Sequence, residues 1–164
     1  MIKKYKGPFF KVFTKCCCCV IGALCFTAFR SDELLHKLAL ETQHKLSTLH
    51  SLDMEAMKLK KSEITISDEG FLRYRKTFLN GKQEYYSLNV SRLRDLNYWG
   101  TTGSGRLNIK TIEDDVIVQT YNDRAGNVDS MSVLLSIPMK DVDPQELISI
   151  QHNLFEIKRL VGQN

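Results

Sequence analysis

The spacing of apolar residues along this chain changes twice, and each change marks a different kind of element. Residues 16–29, CCCCVIGALCFTAF, are an uninterrupted uncharged run of fourteen positions between Lys15 and Arg30. From 31 to 61 the apolar residues recur every three or four positions, at Leu34, Leu35, Leu38, Thr42, Leu46, Leu49, Leu52, Ala56 and Leu59. That spacing places them along one face of a helix. The segment has neither Gly nor Pro and is dense in good helix formers. Ser31 can cap its start, and Asp32 and Glu33 suit the positive end of the helix dipole. A long amphipathic helical connector is therefore expected over 31–61.

From Glu63 the period falls to two, with β-branched and aromatic residues between turn residues. Seven strands are expected: Glu63–Ser67, Phe71–Phe78, Glu84–Asn89, Leu96–Trp99, Arg106–Ile112, Val116–Asn122 and Asp129–Met139. Asp68-Glu69-Gly70, Asn80-Gly81-Lys82, Gly100 to Gly105, Glu113-Asp114-Asp115 and Asp123 to Asn127 supply the turns, and the Asn-Gly pair is the strongest hairpin signal among them. Asp143 then caps a final helix that has Pro144 at its first position and Gly162 at its end. Leu147, Ile148, Ile150, Leu154, Ile157, Leu160 and Val161 give this helix one broad apolar face, which should close over a sheet.

Seven antiparallel strands followed by one C-terminal helix resemble the pleckstrin-homology-like superfold over residues 63–162. In bacterial members a Ser/Leu-rich segment links the third and fourth strands, and Tyr86-Ser87-Leu88-Asn89-Val90-Ser91-Arg92-Leu93 is similar. The resemblance implies an α+β fold: a seven-stranded antiparallel sandwich or barrel of two near-orthogonal sheets, one open end of which is plugged by the helix. Lipid-binding members carry a basic loop between strands one and two. Here that loop is Asp68-Glu69-Gly70, acidic and tight, which argues against a phosphoinositide site. Arg73 and Arg75 alternate on one strand face and read as solvated.

Charge and cysteine content change the picture only at the N-terminus. The formal net charge is +4, but residues 1–30 hold six of the 23 basic side chains and none of the 19 acids, so the remainder nets −2. Such a body lacks the electrostatic footprint of a nucleic-acid binder. All five cysteines, Cys16, Cys17, Cys18, Cys19 and Cys25, lie in the apolar run, so the body has no disulfide framework. As a helix this run would be about 21 Å long, against a hydrocarbon core of about 30 Å.

Residues 1–15 thus read as a basic leader and 16–29 as either a transmembrane anchor or the hydrophobic region of a signal peptide. Val12, Phe13 and Thr14 could lengthen the span if Lys15 snorkels. Ala23-Leu24-Cys25 is the best, though mediocre, cleavage site. The cysteines are candidate lipidation sites beside the basic stretch. With lysines before the run, the N-terminus should stay cytoplasmic and the body should be extracytoplasmic, either on a single-pass anchor or secreted or periplasmic after cleavage.

Candidate chemistry is sparse. The Gly100-Thr101-Thr102-Gly103-Ser104-Gly105 loop has phosphate-cradle spacing, but a strand follows it where a cradle needs a helix. Glu113, Asp114, Asp115 and Asp123 lack the spacing of a calcium loop. His36, His44 and His50 are eight and six residues apart, so they point in different directions and read as solvated histidines on a polar helix face. Ser104 and Ser130 have only His152 as a histidine within the body. No catalytic residue, metal ligand or cofactor site is assigned. Tyr98 and Trp99 beside Thr101, Thr102 and Ser104 form the candidate binding surface.

The expected function is a membrane-anchored or exported non-catalytic module whose partner is a protein or peptide. One alternative is a subunit of an envelope or secretion assembly that oligomerises through the 31–61 helix. The other is an enzyme of unrecognised type. A binding module should offer a free strand edge or apolar groove, and a stalk should leave Leu38, Leu46, Leu49 and Leu52 exposed.

Overall fold

The computed structural model describes residues 32–54 and 57–162. The basic leader, the apolar run with its cysteines, and Ala56 of the helical stripe lie outside these residues. Among the described residues no helix is long and apolar enough to cross a membrane.

Residues 32–49 are helical (α1). Leu35, Ala39, Thr42, Leu46 and Leu49 are buried along one face, as the three-four spacing requires. The helix stops twelve residues before the expected end at 61, without Gly or Pro to stop it. Tertiary pairing overrides helix propensity here. His50 bridges Met139, and the Ser51 N–H donates to the Pro138 carbonyl at 3.0 Å, so the chain leaves the helix as a short extended segment against another strand.

Eight strands follow: β1 (Leu59–Ile66), β2 (Phe71–Phe78), β3 (Gln83–Asn89), β4 (Leu93–Gly100), β5 (Ser104–Thr111), β6 (Val116–Tyr121), β7 (Asp129–Ser132) and β8 (Leu134–Lys140). A 3-10 turn, Val90–Arg92, separates β3 from β4, and helix α2 (Pro144–Val161) ends the fold. The expected seventh strand is in fact two. It breaks at Val133, whose carbonyl accepts from the Thr111 N–H at 3.0 Å, and the chain passes there from one sheet to the other.

All pairings are antiparallel, in a five-stranded sheet of order β1-β2-β3-β6-β7 and a three-stranded sheet of order β4-β5-β8. Among the described residues the result is an α+β domain of two antiparallel sheets and two helices. Ile64, Ile66, Leu72, Leu88 and Val116 from the larger sheet share one core with Leu107, Ile109, Leu135, Ile137 and Met139 from the smaller. Ile150, Leu154, Ile157 and Leu160 of α2 extend it. Asp143 caps α2 through a 2.7 Å bond from the Gln145 N–H, with Pro144 first in the helix.

The helices run antiparallel beside each other: Lys45 Nζ donates to Ser149 Oγ, and Glu41, one turn earlier, faces Asn153, one turn later. The far end of α2 meets the β1–β2 turn, where Gly70 has φ +77° and a Cβ would lie 2.7 Å from Val161 Cγ2. Glycine is required there on both counts.

Candidate functional site

The β4–β5 hairpin carries the residues expected to bind. Gly100 and Gly105 face each other across the ladder, and the Thr101 N–H donates to the Ser104 carbonyl at 2.9 Å. The Gly-rich loop is thus a hairpin turn, with strands on both sides. Val142 N–H donates to the Thr102 carbonyl at 2.6 Å, which ties the turn to the segment before α2.

Alternation along β4 separates the two aromatic residues. Tyr98 turns inward over Gly105, where a Cβ would sit 2.5 Å from Tyr98 Cζ, and its hydroxyl donates to the Thr101 carbonyl at 2.6 Å. Burial raises the Tyr98 phenol above its ordinary pKa. Trp99 turns outward and is 72% exposed. Thr101, Thr102 and Ser104 are exposed at the tip. The five residues therefore share one hairpin, but Tyr98 is a structural prop for the turn, and Trp99 belongs to the outer sheet face.

On that outer face the register sets three cross-strand rows: Asp95, Lys110 and Leu134; Asn97, Asn108 and Ser136; Trp99, Arg106 and Pro138. The middle row is only partly exposed, and Pro138 is buried. Asp95 accepts from the Leu96 N–H at 2.8 Å and from Asn97 Nδ2 at 2.6 Å, while Arg106 donates to the Met54 carbonyl at 3.3 Å.

The larger sheet has two edge strands, β1, which carries Lys60 and Lys61, and β7. Thr120 N–H donates to the Val128 carbonyl at 2.9 Å, which sets the bonded positions of the β6–β7 ladder at Val128, Ser130 and Ser132. Antiparallel alternation then turns the backbone groups of Asp129 and Met131 outward. Met131 is 62% exposed, Val128, Val133 and Leu134 beside it are also exposed, and Asp129 is the one charge on the strand.

A third constellation was not anticipated. His50, expected on a solvated face, is 7% exposed. Its Nε2 shares a 2.6 Å hydrogen bond with the Tyr74 hydroxyl, and Nδ1 one of 3.1 Å with Ser62 Oγ. Lys76, 6% exposed, lies 5.3 Å and 5.1 Å from the Tyr74 and Tyr86 ring centres and 3.6 Å from Glu84. Lys82 continues the chain at 3.0 Å from Glu84 and 2.9 Å from Asp123. Burial alone would raise the Glu84 pKa. The Lys82 ammonium, the Tyr86 hydroxyl and the Lys76 charge outweigh it and hold the carboxyl below its ordinary range. The pairing raises Lys82 in turn, chiefly through Asp123 and Glu84.

The parity of β2 could have revealed this cluster. Leu72, Tyr74, Lys76 and Phe78 share one buried face, and the register sets Lys76 opposite Glu84. The approach of His50 and Ser62 was not legible, because residues 12 and 24 positions apart make those contacts.

The remaining candidates are held by local pairing. Arg92 Nε meets Asp115 at 3.0 Å and its Nη2 meets Glu113 at 3.5 Å, so the acidic turn is tied to the 3-10 segment. His36 meets Asp68 at 2.8 Å on the surface, and His44 and His152 are exposed. Ser104 and Ser130 stand on different sheets, and neither has a histidine partner among the described residues. No group of three His, Cys, Asp or Glu that could hold a metal occurs among the described residues.

The fold and these surfaces define an α+β domain of two antiparallel sheets with a C-terminal helix. No protein family, curated protein or solved structure matches the chain.

Proposed function

We propose that this chain is a membrane-anchored or exported binding module without catalytic activity, and that its extracytoplasmic body takes an extended segment of a protein partner as an added strand on β7. The free edge of β7 carries this reading. Two residues aim their backbone donors and acceptors at solvent there, exposed apolar side chains flank them, and no lysine or proline blunts the strand. Leu46 and Leu49 are already used in the domain's own core, while Leu38 is half-buried and Leu52 is exposed. The centre of the stripe is thus unavailable to a partner, which favours β7 over the helix as the place of contact. A pleckstrin-homology-like assignment fits the two antiparallel sheets and the closing helix. The pairings of β3 with β6 and of β5 with β8 are the features a relative should share.

The test is a photo-reactive side chain at position 131 of the full-length chain in its native membrane, with the same group at Lys140 as control. Position 131 should give a discrete adduct with another polypeptide, and position 140 none. Asp129→Pro removes one outward N–H at the first residue of the strand, where proline is tolerated. It should suppress the adduct while leaving the circular dichroism unchanged. An adduct indifferent to Asp129→Pro, or none at all, would rule out strand addition.

A further inference from the structure

The outer face of the β4-β5-β8 sheet carries an unusual composition for its position. Asparagine is depleted in strands, yet Asn97 and Asn108 are directly paired in the middle of this ladder, with Ser136 completing the row. The next row begins with the most exposed large apolar side chain of the described residues, Trp99. Neither choice serves the core, because the inward positions of the same strands, Leu96, Leu107, Ile109, Leu135 and Ile137, supply it.

The hydrogen-bonding inventory of this face is largely unspent. Among the described residues the Asn108 amide and the Ser136 hydroxyl make no side-chain hydrogen bond, and Asn97 uses only its Nδ2, toward Asp95. Each free amide oxygen accepts and each amide nitrogen donates. Of the flanking charges, Asp95 bonds Leu96 and Asn97 and Arg106 bonds the Met54 carbonyl, while Lys110 makes no side-chain hydrogen bond or ion pair among the described residues. What faces a ligand at the centre is therefore an uncharged set of amide and hydroxyl groups beside an exposed indole.

That combination suits a carbohydrate ring. A pyranose has a C–H face that an indole can cover and an equatorial rim of hydroxyls that needs donors and acceptors together. An acetamido substituent pairs with a side-chain amide donor to acceptor and acceptor to donor. A phosphate-bearing ligand would call for a cluster of uncommitted Arg and Lys, where the three rows of this face offer Lys110 alone. We infer that the Trp99–Asn97–Asn108–Ser136 face binds a glycan strand containing N-acetylated hexosamines, with Trp99 stacked on a sugar ring and Asn108 reading the acetamido group.

Trp99 is the only tryptophan in the chain, so intrinsic fluorescence reports this face alone. Full-length protein in a sugar-free detergent is titrated with chitohexaose, with a single-stranded oligonucleotide and anionic lipid vesicles in parallel. Chitohexaose should give a saturable change in Trp99 emission. Asn108→Leu should weaken it by about tenfold or more, the scale of a lost buried polar match. Ser136→Ala, milder for the fold, should weaken it by a smaller factor, and calorimetry should show binding lost in Trp99→Ala. Asp129→Pro should leave the response intact, which separates this face from the β7 edge. No response to chitohexaose at millimolar concentration, a response unchanged in both Asn108→Leu and Ser136→Ala, or a response to the oligonucleotide or vesicles in its place would overturn the inference.

Discussion

Leu46→Ala tests whether the α1 stripe belongs to this domain's core or to a partner's. Leu46 has no exposed surface, and Thr42 and Leu49 beside it on the same face are buried as well. Truncation removes three carbons from a closed environment, about 2.4 kcal/mol of transfer free energy at about 0.8 kcal/mol per methylene. The cavity left behind adds to this, so the expected loss is about 3–5 kcal/mol. Leu40 lies on the opposite face and is 50% exposed, so Leu40→Ala should change stability by less than about 0.5 kcal/mol. Urea unfolding of the two full-length variants should show the midpoint falling sharply in Leu46→Ala with an unchanged slope, and barely moving in Leu40→Ala. The wild-type midpoint should not depend on protein concentration, since the stripe is satisfied within one copy. A small effect at Leu46, a larger one at Leu40, or a concentration-dependent midpoint would show that the helix finds its partner elsewhere.

Two further outcomes are expected. The Glu84 pKa is lowered in the folded state, so its charge contributes stability above the unfolded carboxyl value and loses it as pH falls through the folded one. Glu84→Gln should therefore be markedly less stable than wild type at neutral pH, with the gap closing under acid, and a constant gap in pH-dependent unfolding would contradict the assigned pairing with Lys76 and Lys82. Intact-mass spectrometry of the membrane fraction should find a chain that keeps residues 1–30, and a soluble form starting near Phe26 would replace the anchor with a cleaved signal.

The elements that were legible in the sequence are those decided by neighbours. Phe71–Phe78 has the same two ends in pattern and structure because strict alternation and the Asp-Glu-Gly and Asn-Gly turns bound it locally. The Asp143-Pro144 start of α2 was legible for the same reason. The end of α1 was not, because it is set by pairing with Pro138 and Met139, nearly ninety positions away. The break of the last strand at Val133 depends likewise on Thr111 in another strand. Within the candidate surface, Tyr98 and Trp99 are grouped together by sequence, although strand alternation turns them to opposite faces. The row of Asn97, Asn108 and Ser136 exists only once three separate strands are in register.

The antiparallel packing of α1 against α2 has a consequence for the order of events during synthesis. α1 leaves the ribosome near the beginning, but the surface that covers it at Ser149 and Asn153 is made about a hundred residues later. At a typical elongation rate that interval is roughly 5–20 s, during which the stripe of α1 has β1 and β2 to pack on but lacks α2. The core that the two sheets share is complete only when Ile150, Leu154, Ile157 and Leu160 of the last helix have been made. The nascent chain should thus depend on a holding chaperone, or on transit in an unfolded state, more than its modest length suggests.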